Sequence, residues 1–205
     1  FKPTSNKSAL RSELNLPEGK LVGCFGRVRP QKGVDIFVKV MIKVCSHDPK
    51  AVGIICGQTT SDHKEFEATL KSQVADAGLS ERIIFLGTQP SDRLPLLFAA
   101  LDIYVAPQRN EGFGLTPLEA MASGVSVIAT TAGAFEEMVL NGETGYIVEI
   151  EDIVTMTKKL NELLSNDTKR QALANASIER VSQHFDIKGE AAALVKLYKD
   201  LLSKA

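Results

Sequence analysis

Short apolar segments alternate with segments of helical periodicity along most of the chain. Six segments are short, apolar and followed by turn residues, as is typical of buried strands: Leu21–Phe25, Ala51–Cys56, Arg82–Leu86, Ile103–Ala106, Val125–Ala129 and Gly145–Val148. Helical patterns lie between and after them: Val34–Cys45, Asp62–Ala77, Arg93–Ala100, Pro117–Ser123, Phe135–Val139, Ile153–Leu164, Asp167–His184 and Ile187–Ser203.

This alternation predicts an α/β fold, a Rossmann-like doubly wound parallel sheet of about six strands with helices on both faces and further helices at the carboxyl terminus. In such sheets a ligand binds beyond the carboxyl ends of the strands, near the position where the strand order reverses. We therefore expect functional side chains in the loops that directly follow the predicted strands.

Composition excludes several classes of protein. The 205 residues suffice for one domain, and their net charge of −1 gives no strong sequence-independent attraction to nucleic acid. The three cysteines and three histidines lack metal-ligand spacing, and buried cysteines favour a reducing, cytoplasmic location. The sequence shows no signal peptide and no apolar run of roughly 18 residues, the length that a membrane span needs.

The loop after the first predicted strand, Gly26–Gly33, carries two cations between two glycines. Gly26 permits a sharp turn, and Gly33 opens the next helix. Arg27 offers a planar fork and Lys32 a compact charge at the end of a strand, where a phosphate docks in this architecture. The alternative interpretation is a solvated basic loop without a ligand.

The loop after the fourth predicted strand places Glu111 and Glu119 around a glycine-rich turn. Backbone amides of this turn can bind phosphate or sugar oxygens, and they belong to Gly112, Phe113, Gly114, Leu115 and Thr116. Thr116 as N-cap, Pro117 as first helical residue and Glu119 as third also match a capping box. A plain capping box at Glu119 and a solvated carboxylate at Glu111 are therefore the alternative interpretation.

Cations and amides beside two carboxylates fit a ligand that has both a phosphate and several hydroxyls, which describes a nucleotide sugar. Glu111 can accept hydrogen bonds from sugar hydroxyls and stabilise positive charge at an anomeric carbon, and Glu119 can hold a ribose diol. No Asp-x-Asp pattern occurs, so no metal is expected on the diphosphate. Arg27, Lys32 and the helix start would neutralise it instead.

The segment Glu111-Gly-Phe-Gly-Leu-Thr-Pro-Leu-Glu119, after Gly26-Arg27 and Lys32-Gly33, resembles the retaining glycosyltransferases of family 4. The resemblance covers nearly the whole chain. It implies the GT-B architecture, in which two Rossmann-like domains face each other across a cleft, and it makes this chain the carboxyl-terminal, donor-binding domain.

The resemblance also implies a role for each matching residue. Arg27 and Lys32 would grip the donor diphosphate, Glu111 would lie over the donor sugar as the catalytic carboxylate, and Glu119 would bind the ribose. The backbone around the sugar and phosphate would come from Gly112, Phe113, Gly114, Leu115 and Thr116. The base would be bordered by Gly57, Thr88 and Gln89.

By the same resemblance, residues 1–16 are an interdomain linker and the helix that follows it, and residues 17–186 bind the nucleotide sugar. Residues 187–205 would form a helix that crosses back to a missing amino-terminal domain. That domain supplies a catalytic histidine in the family, and none of the three histidines here lies in a matching motif. This chain alone is therefore expected to bind donor without transferring it.

The segment Ala106-Pro107-Gln108-Arg109-Asn110 resembles mannosyltransferases of the bacterial lipopolysaccharide core. This likeness implies GDP-mannose as donor, no cofactor or metal, and a glycan or lipid-linked acceptor. The full enzyme would work in the cytoplasm, with peripheral association at the inner face of the plasma membrane.

Other functions remain open at this point. The donor could be UDP-glucose or UDP-N-acetylglucosamine, and a sugar phosphorylase or epimerase could use the same two-domain scaffold. A non-catalytic nucleotide-sugar-binding module is a third interpretation. A Rossmann dehydrogenase is disfavoured because no Gly-x-Gly-x-x-Gly follows the first predicted strand.

Overall fold

The computed structural model describes residues 1–203 of the chain. Its strands are β1 (Lys20–Phe25), β2 (Ala51–Cys56), β3 (Ile83–Gly87), β4 (Ile103–Ala106), β5 (Ser126–Thr130) and β6 (Gly145–Val148). Its helices are α1 (Lys7–Glu13), α2 (Val34–His47), α3 (Lys64–Asp76), α4 (Leu94–Ala100), α5 (Thr116–Ala122), α6 (Phe135–Met138), α7 (Ile153–Ser165), α8 (Asp167–His184) and α9 (Ile187–Leu202). Short 3₁₀ turns at Pro30–Lys32 and Ser61–His63 precede α2 and α3.

The six strands form one parallel sheet in the order β3-β2-β1-β4-β5-β6. The order reverses between β1 and β4, which pair directly, with Val22 opposite Ile103 and Gly23 opposite Tyr104. The predicted fold class is confirmed. Because β1 and β4 are neighbours, the loops that leave their carboxyl ends emerge side by side at the switch point.

Two buried clusters cover the two faces of the sheet, because successive residues of a strand point to opposite faces. In β4, Ile103 and Val105 belong to the cluster that contains α2, α3 and α7, whereas Tyr104 and Ala106 belong to the cluster that contains α1, α4, α5 and α6. The sheet is therefore buried on both sides and presents its strand ends to a ligand.

An aromatic cluster packs around Phe25 at the carboxyl end of β1. The Phe25 ring lies 4.7 Å from the ring of Phe98 and 5.9 Å from that of Tyr104, in edge-to-face arrangements. The buried Tyr104 hydroxyl donates to the Phe25 carbonyl at 3.1 Å. This cluster fixes the position at which the chain leaves β1.

The first helix is tied to the domain by one arginine. Arg11 donates to the Ala100 carbonyl at 2.8 and 2.7 Å and to the Asp102 carboxylate at 2.7 Å, which in turn accepts the Leu21 amide at 2.8 Å. Residues 7–13 therefore form a helix docked beside α4. The division at residues 16 and 186 stays a prediction.

Element boundaries differ from the predicted ones by a few residues. The helix predicted from Asp62 begins at Lys64, because residues 61–63 form a 3₁₀ turn. Arg82 lies just before β3, where its guanidinium donates to the carbonyls of Cys45, Asp48 and Ala51. In α9 the predicted last residue, Ser203, is the C-cap, and residues 204–205 of the predicted terminal segment lie outside the described residues.

The last helix contributes no buried side chain to the domain, although it carries a row of apolar residues. Leu194, Val195, Leu197 and Tyr198 are between 44% and 60% exposed. Across residues 1–203, no helix combines the length and the apolar character that crossing a membrane requires.

Replacing Phe98 by Ala should lower the free energy of unfolding by about 3–5 kcal/mol, because it leaves a cavity in the aromatic cluster. Leu96→Ala is the matched control on the same helix, where the side chain is 42% exposed, and it should cost about 0.5 kcal/mol or less. Urea unfolding monitored by circular dichroism measures both. Equal losses would contradict a structural role of this cluster.

Candidate functional site

The loops after β1 and β4 touch each other at the switch point. Gly33, the N-cap of α2, has φ 66°, and a Cβ atom added to it would lie 1.9 Å from the Pro107 carbonyl oxygen. Glycine alone fits this left-handed position against a neighbouring backbone. The two loops in which the sequence predicts functional residues are therefore in direct contact.

Lys32 and Glu111 form an ion pair across this contact, although 79 residues separate them in sequence. Their side chains are only 19% and 16% exposed, and the second Glu111 oxygen accepts the Gly112 amide at 3.1 Å. Without ligand, the predicted phosphate-binding cation and the predicted sugar-binding carboxylate thus satisfy each other. A phosphate joined to a polyhydroxylated ring offers a new partner to both.

The glycine-rich turn between Glu111 and α5 leaves its backbone amides available. Among residues 1–203, no protein acceptor receives a hydrogen bond from the amides of Gly114, Leu115 or Thr116. The side chains of Phe113 and Leu115 are 52% and 60% exposed. The turn can therefore offer hydrogen-bond donors to an anion or a sugar.

The predicted capping box at the start of α5 is wrong. The helix begins at Thr116, its N-cap is Leu115, and no side chain caps it. Leu115 already has near-helical angles (φ −74°, ψ −24°), so Thr116 lies inside the first turn and not in the extended conformation of a usual N-cap. The Glu119 carboxylate is consequently not engaged in capping.

A cavity of about 240 Å³ gathers most of the other predicted residues, and its lining residue Gly26 approaches Lys32, whose Cδ atom would lie 3.9 Å from a Cβ on that glycine. The carboxyl ends of β1, β2 and β3 line it together with α4 and α5, and the lining includes Arg27, Gly57, Thr88, Gln89, Thr116 and Glu119. Gly57 has φ 154°, and a Cβ there would lie 1.9 Å from the Gly26 carbonyl oxygen, so only glycine keeps the ends of β1 and β2 this close. Arg27 and Thr116 of the predicted diphosphate residues therefore share one concave surface with the predicted ribose and base residues, whereas Lys32, Gly114 and Leu115 do not line it.

Burial governs the electrostatics of this cavity. It raises the pKa of Glu119 above its usual value, because the charged form loses hydration. Hydroxyl donors of a ligand would replace the hydration that the ionised carboxylate loses.

Two hydrogen bonds orient the Gln89 side chain, which donates to the Leu86 carbonyl at 2.8 Å and accepts from Arg93 at 3.1 Å.

Sequence reasoning missed several residues of this cavity. Gln58, Cys56, Leu94 and Phe98 also line it. Gln58 lies just beyond the end of β2, so the rule that ligands bind at carboxyl ends could have found it. Cys56 is a buried thiol whose pKa burial raises to about 11, which leaves it neutral.

A larger groove of about 740 Å³ lies between the glycine-rich turn and the junction of α8 and α9. Phe113 and Leu115 line one side of it, and its charged lining residues include Asp186 and Glu190 but no lysine or arginine. A phosphate would be repelled there. We therefore assign anion binding to the smaller cavity and the adjoining ion pair.

The described residues contain no cluster of side chains suited to binding a metal ion. Within residues 1–203, no group of three or more His, Cys, Asp or Glu side chains could hold an ion together. Cys24 lies in β1 and Cys56 in the neighbouring strand β2, and both are buried free thiols.

The fold is that of an α/β domain found in glycosyltransferases, and the comparison with known proteins identifies the family. The family model described as glycosyl transferases group 1 matches residues 6–180. The chain belongs to this glycosyltransferase family.

Two curated relatives show which members of the family the chain resembles. The chain is 45% identical to the lipopolysaccharide core biosynthesis mannosyltransferase LpsB of Rhizobium meliloti, over 98% of this chain and 58% of the relative. It is 42% identical to LpcC of Rhizobium leguminosarum bv. viciae, which carries the same description, over 91% of this chain and 53% of the relative. The chain thus spans about half the length of these relatives.

Two solved structures have the same fold as this chain. The carboxyl-terminal domain of the group 1 protein LpcC from Francisella tularensis superimposes with a TM-score of 0.87 at 34% identity, covering 91% of this chain and 96% of that one. HepE from Anabaena, solved in complex with UDP-glucose, gives a TM-score of 0.85 at 26% identity, covering all of this chain and 54% of that one.

Replacing Glu119 by Gln should remove a pH dependence of nucleotide affinity. If Glu119 binds the ribose as predicted, its ionised carboxylate accepts the hydroxyl hydrogen bonds, so affinity should fall as pH decreases from neutral through the raised pKa of Glu119. Calorimetric titration with GDP and UDP across this range tests it. The exposed Glu136→Gln variant is the control and should retain the wild-type profile; an unchanged profile in Glu119→Gln would refute the assignment.

Replacing Glu111 by Gln should tighten the binding of a free nucleoside diphosphate, because such a ligand lacks the donor hexose that Glu111 is predicted to bind. The substitution releases Lys32 from its ion pair and removes a negative charge beside the phosphates. We expect a gain of about 1 kcal/mol, or about fivefold in Kd. Glu143→Gln, an exposed residue near the start of β6, is the calorimetric control. Weaker binding by Glu111→Gln would contradict this account.

Proposed function

We propose that the chain is the donor-binding half of a retaining glycosyltransferase that transfers mannose from GDP-mannose to a glycolipid acceptor of the lipopolysaccharide core or a related glycan. One observation carries the proposal. The cavity that Arg27 and Glu119 line is also lined by Gly26, on which a Cβ atom would lie 3.9 Å from the Cδ atom of Lys32, in a chain 45% identical to a lipopolysaccharide core mannosyltransferase.

In this proposal the donor replaces the Lys32–Glu111 ion pair, because its diphosphate binds Lys32 and its sugar binds Glu111. The diphosphate binds Arg27 and Lys32, with amides of Gly114, Leu115 and Thr116 as further donors, and it departs toward the same groups when the glycosidic bond breaks. Glu111 binds the sugar hydroxyls and stabilises the positive charge that develops at the anomeric carbon. The acceptor hydroxyl attacks from the face that the diphosphate leaves, so configuration is retained.

The nucleoside would occupy the cavity of about 240 Å³. Glu119 accepts hydrogen bonds from the ribose hydroxyls, and Gly57, Thr88 and Gln89 border the base. The charge of the diphosphate is balanced by side chains and backbone, so the proposal requires no metal or cofactor. Titration in the presence of a chelator and in the presence of Mg²⁺ should therefore give the same affinity.

The acceptor would be bound by an amino-terminal domain that this chain does not include. The length of the relatives supports this, since the chain spans 58% and 53% of them. The exposed apolar residues of α9 suit a helix that packs against such a domain. We place the full enzyme in the cytoplasm, peripherally associated with the inner face of the plasma membrane where lipid-linked acceptors lie.

Calorimetric titration of the chain with GDP-mannose, GDP, UDP-glucose and UDP-N-acetylglucosamine tests the donor. Preference for GDP and GDP-mannose supports the mannosyltransferase, whereas preference for a UDP sugar, the class bound by HepE, keeps the family and overturns the donor. Donor consumption that depends on phosphate, or epimer formation without acceptor, would instead identify a phosphorylase or an epimerase.

Replacing Lys32 by Ala should weaken binding of the preferred nucleotide by about tenfold, since a charge-assisted hydrogen bond contributes about 1.5–3 kcal/mol and part of this is offset by the ion pair with Glu111. Lys43→Ala, an exposed residue near the carboxyl end of α2, is the matched control and should bind as the wild type does. Equal affinity of the two variants would contradict a phosphate-binding role for Lys32.

A further inference from the structure

Arg109 lies two residues before Glu111 and makes more polar contacts than any other side chain named in the site. Its Nη1 and Nη2 atoms donate to the two carboxylate oxygens of Asp35 at 2.7 and 2.8 Å, in a bidentate pair. Nη1 also donates to the Pro30 carbonyl at 2.6 Å, and Nε donates to Glu151 at 2.7 Å. The contacts use the planar fork of the guanidinium, which a lysine cannot reproduce.

These contacts join three separate parts of the fold. Pro30 belongs to the loop after β1, Asp35 lies in the first turn of α2, and Glu151 lies in the turn between β6 and α7. Glu151 has φ 67°, an uncommon left-handed conformation for a residue other than glycine. Its pairing with Arg109 helps to hold that turn in place.

The backbone continues the same connection. The amides of Arg109 and Asn110 both donate to the Gln31 carbonyl, at 3.0 and 3.4 Å. Gln31 directly precedes Lys32, and Asn110 directly precedes Glu111. The segment that fixes Gln31 against Asn110 therefore sets the separation of the next residue in each loop, which is the Lys32–Glu111 pair.

The Arg109–Asp35 pair is bidentate and largely shielded from solvent. Against the opposing effect of partial burial, hydrogen bonding and the charge of Arg109 lower the pKa of Asp35. The side chains are 28% and 16% exposed. Because the pKa of Asp35 is lowered, Asp35 and Arg109 both stay charged at neutral pH.

From this geometry we infer that Arg109 is a positioning residue for donor binding. Arg109 does not line the cavity of about 240 Å³ and hydrogen-bonds to neither Lys32 nor Glu111, and it acts by holding the loop of Glu111 against the loop of Lys32. The inference rests on the proposed function, since it supposes that these two loops bind a nucleotide. Asp35 holds Arg109 in place, and Arg109 affects nucleotide binding by positioning Lys32.

The test measures the Kd of the 205-residue chain for GDP and for UDP by calorimetry, together with the midpoint of thermal unfolding. The variants are Arg109→Lys, Lys32→Ala and the two combined. Arg82→Lys is the matched control, because Arg82 also binds several backbone carbonyls but does so before β3, at the opposite edge of the sheet. Both arginine variants should lower the midpoint.

Of the two arginine variants, only Arg109→Lys should weaken binding of the preferred nucleotide, by about tenfold, because a small displacement of binding groups has a large effect on a fitted ligand. In the Lys32→Ala background the same change should weaken binding less than about twofold. This loss of effect distinguishes positioning through Lys32 from a general loss of stability, which would act equally in both backgrounds.

Wild-type affinity in Arg109→Lys, or a full tenfold loss that persists without Lys32, overturns the inference and leaves the proposed function standing. Should Arg109→Lys fail to fold, Asp35→Asn replaces it, since that change keeps the arginine and removes the charge that orients it. Failure of the folded wild-type chain to bind either nucleotide overturns the proposed function, and this inference with it.

Discussion

The contact between the loops that follow β1 and β4 is the constraint on which the rest of the site depends. Gly33 lies so close to the Pro107 carbonyl that no side chain fits between them, and Gln31 accepts hydrogen bonds from the amides beside Glu111. This contact exists because β1 and β4 are adjacent strands at the switch point of the sheet. It brings a cation from one loop and a carboxylate from the other to a single position.

Charge balance in the Lys32–Glu111 pair supports the proposal that the site binds a nucleotide sugar and not a simple anion. Lys32 and Glu111 neutralise each other, so this partly buried pair carries no net charge. Inorganic phosphate would occupy the lysine but leave the carboxylate unpartnered and repelled. A diphosphate attached to a sugar provides an acceptor for the lysine and hydroxyl donors for the glutamate in one molecule.

Family membership and donor identity depend on different parts of the chain. The match to glycosyl transferases group 1 extends over residues 6–180 and reflects the sheet, its glycines and the loops at its carboxyl edge. In the proposed function, donor choice depends on the few residues that line the cavity of about 240 Å³, among them Gln58 and Gln89. Relatives as different as the rhizobial mannosyltransferases and HepE can therefore share the fold and differ in the ligand.

The sequence by itself determined the fold class and the loops of the site, because buried parallel strands need continuous apolar segments and because glycines and charges follow those strands directly. It did not determine the helix start at Thr116, since the backbone angles of Leu115 depend on how the loop packs. Only the tertiary structure decided that Lys32 pairs with Glu111 and that Arg109 reaches Asp35, 74 residues away. Such pairs follow from strand order, which hydrophobic periodicity does not encode.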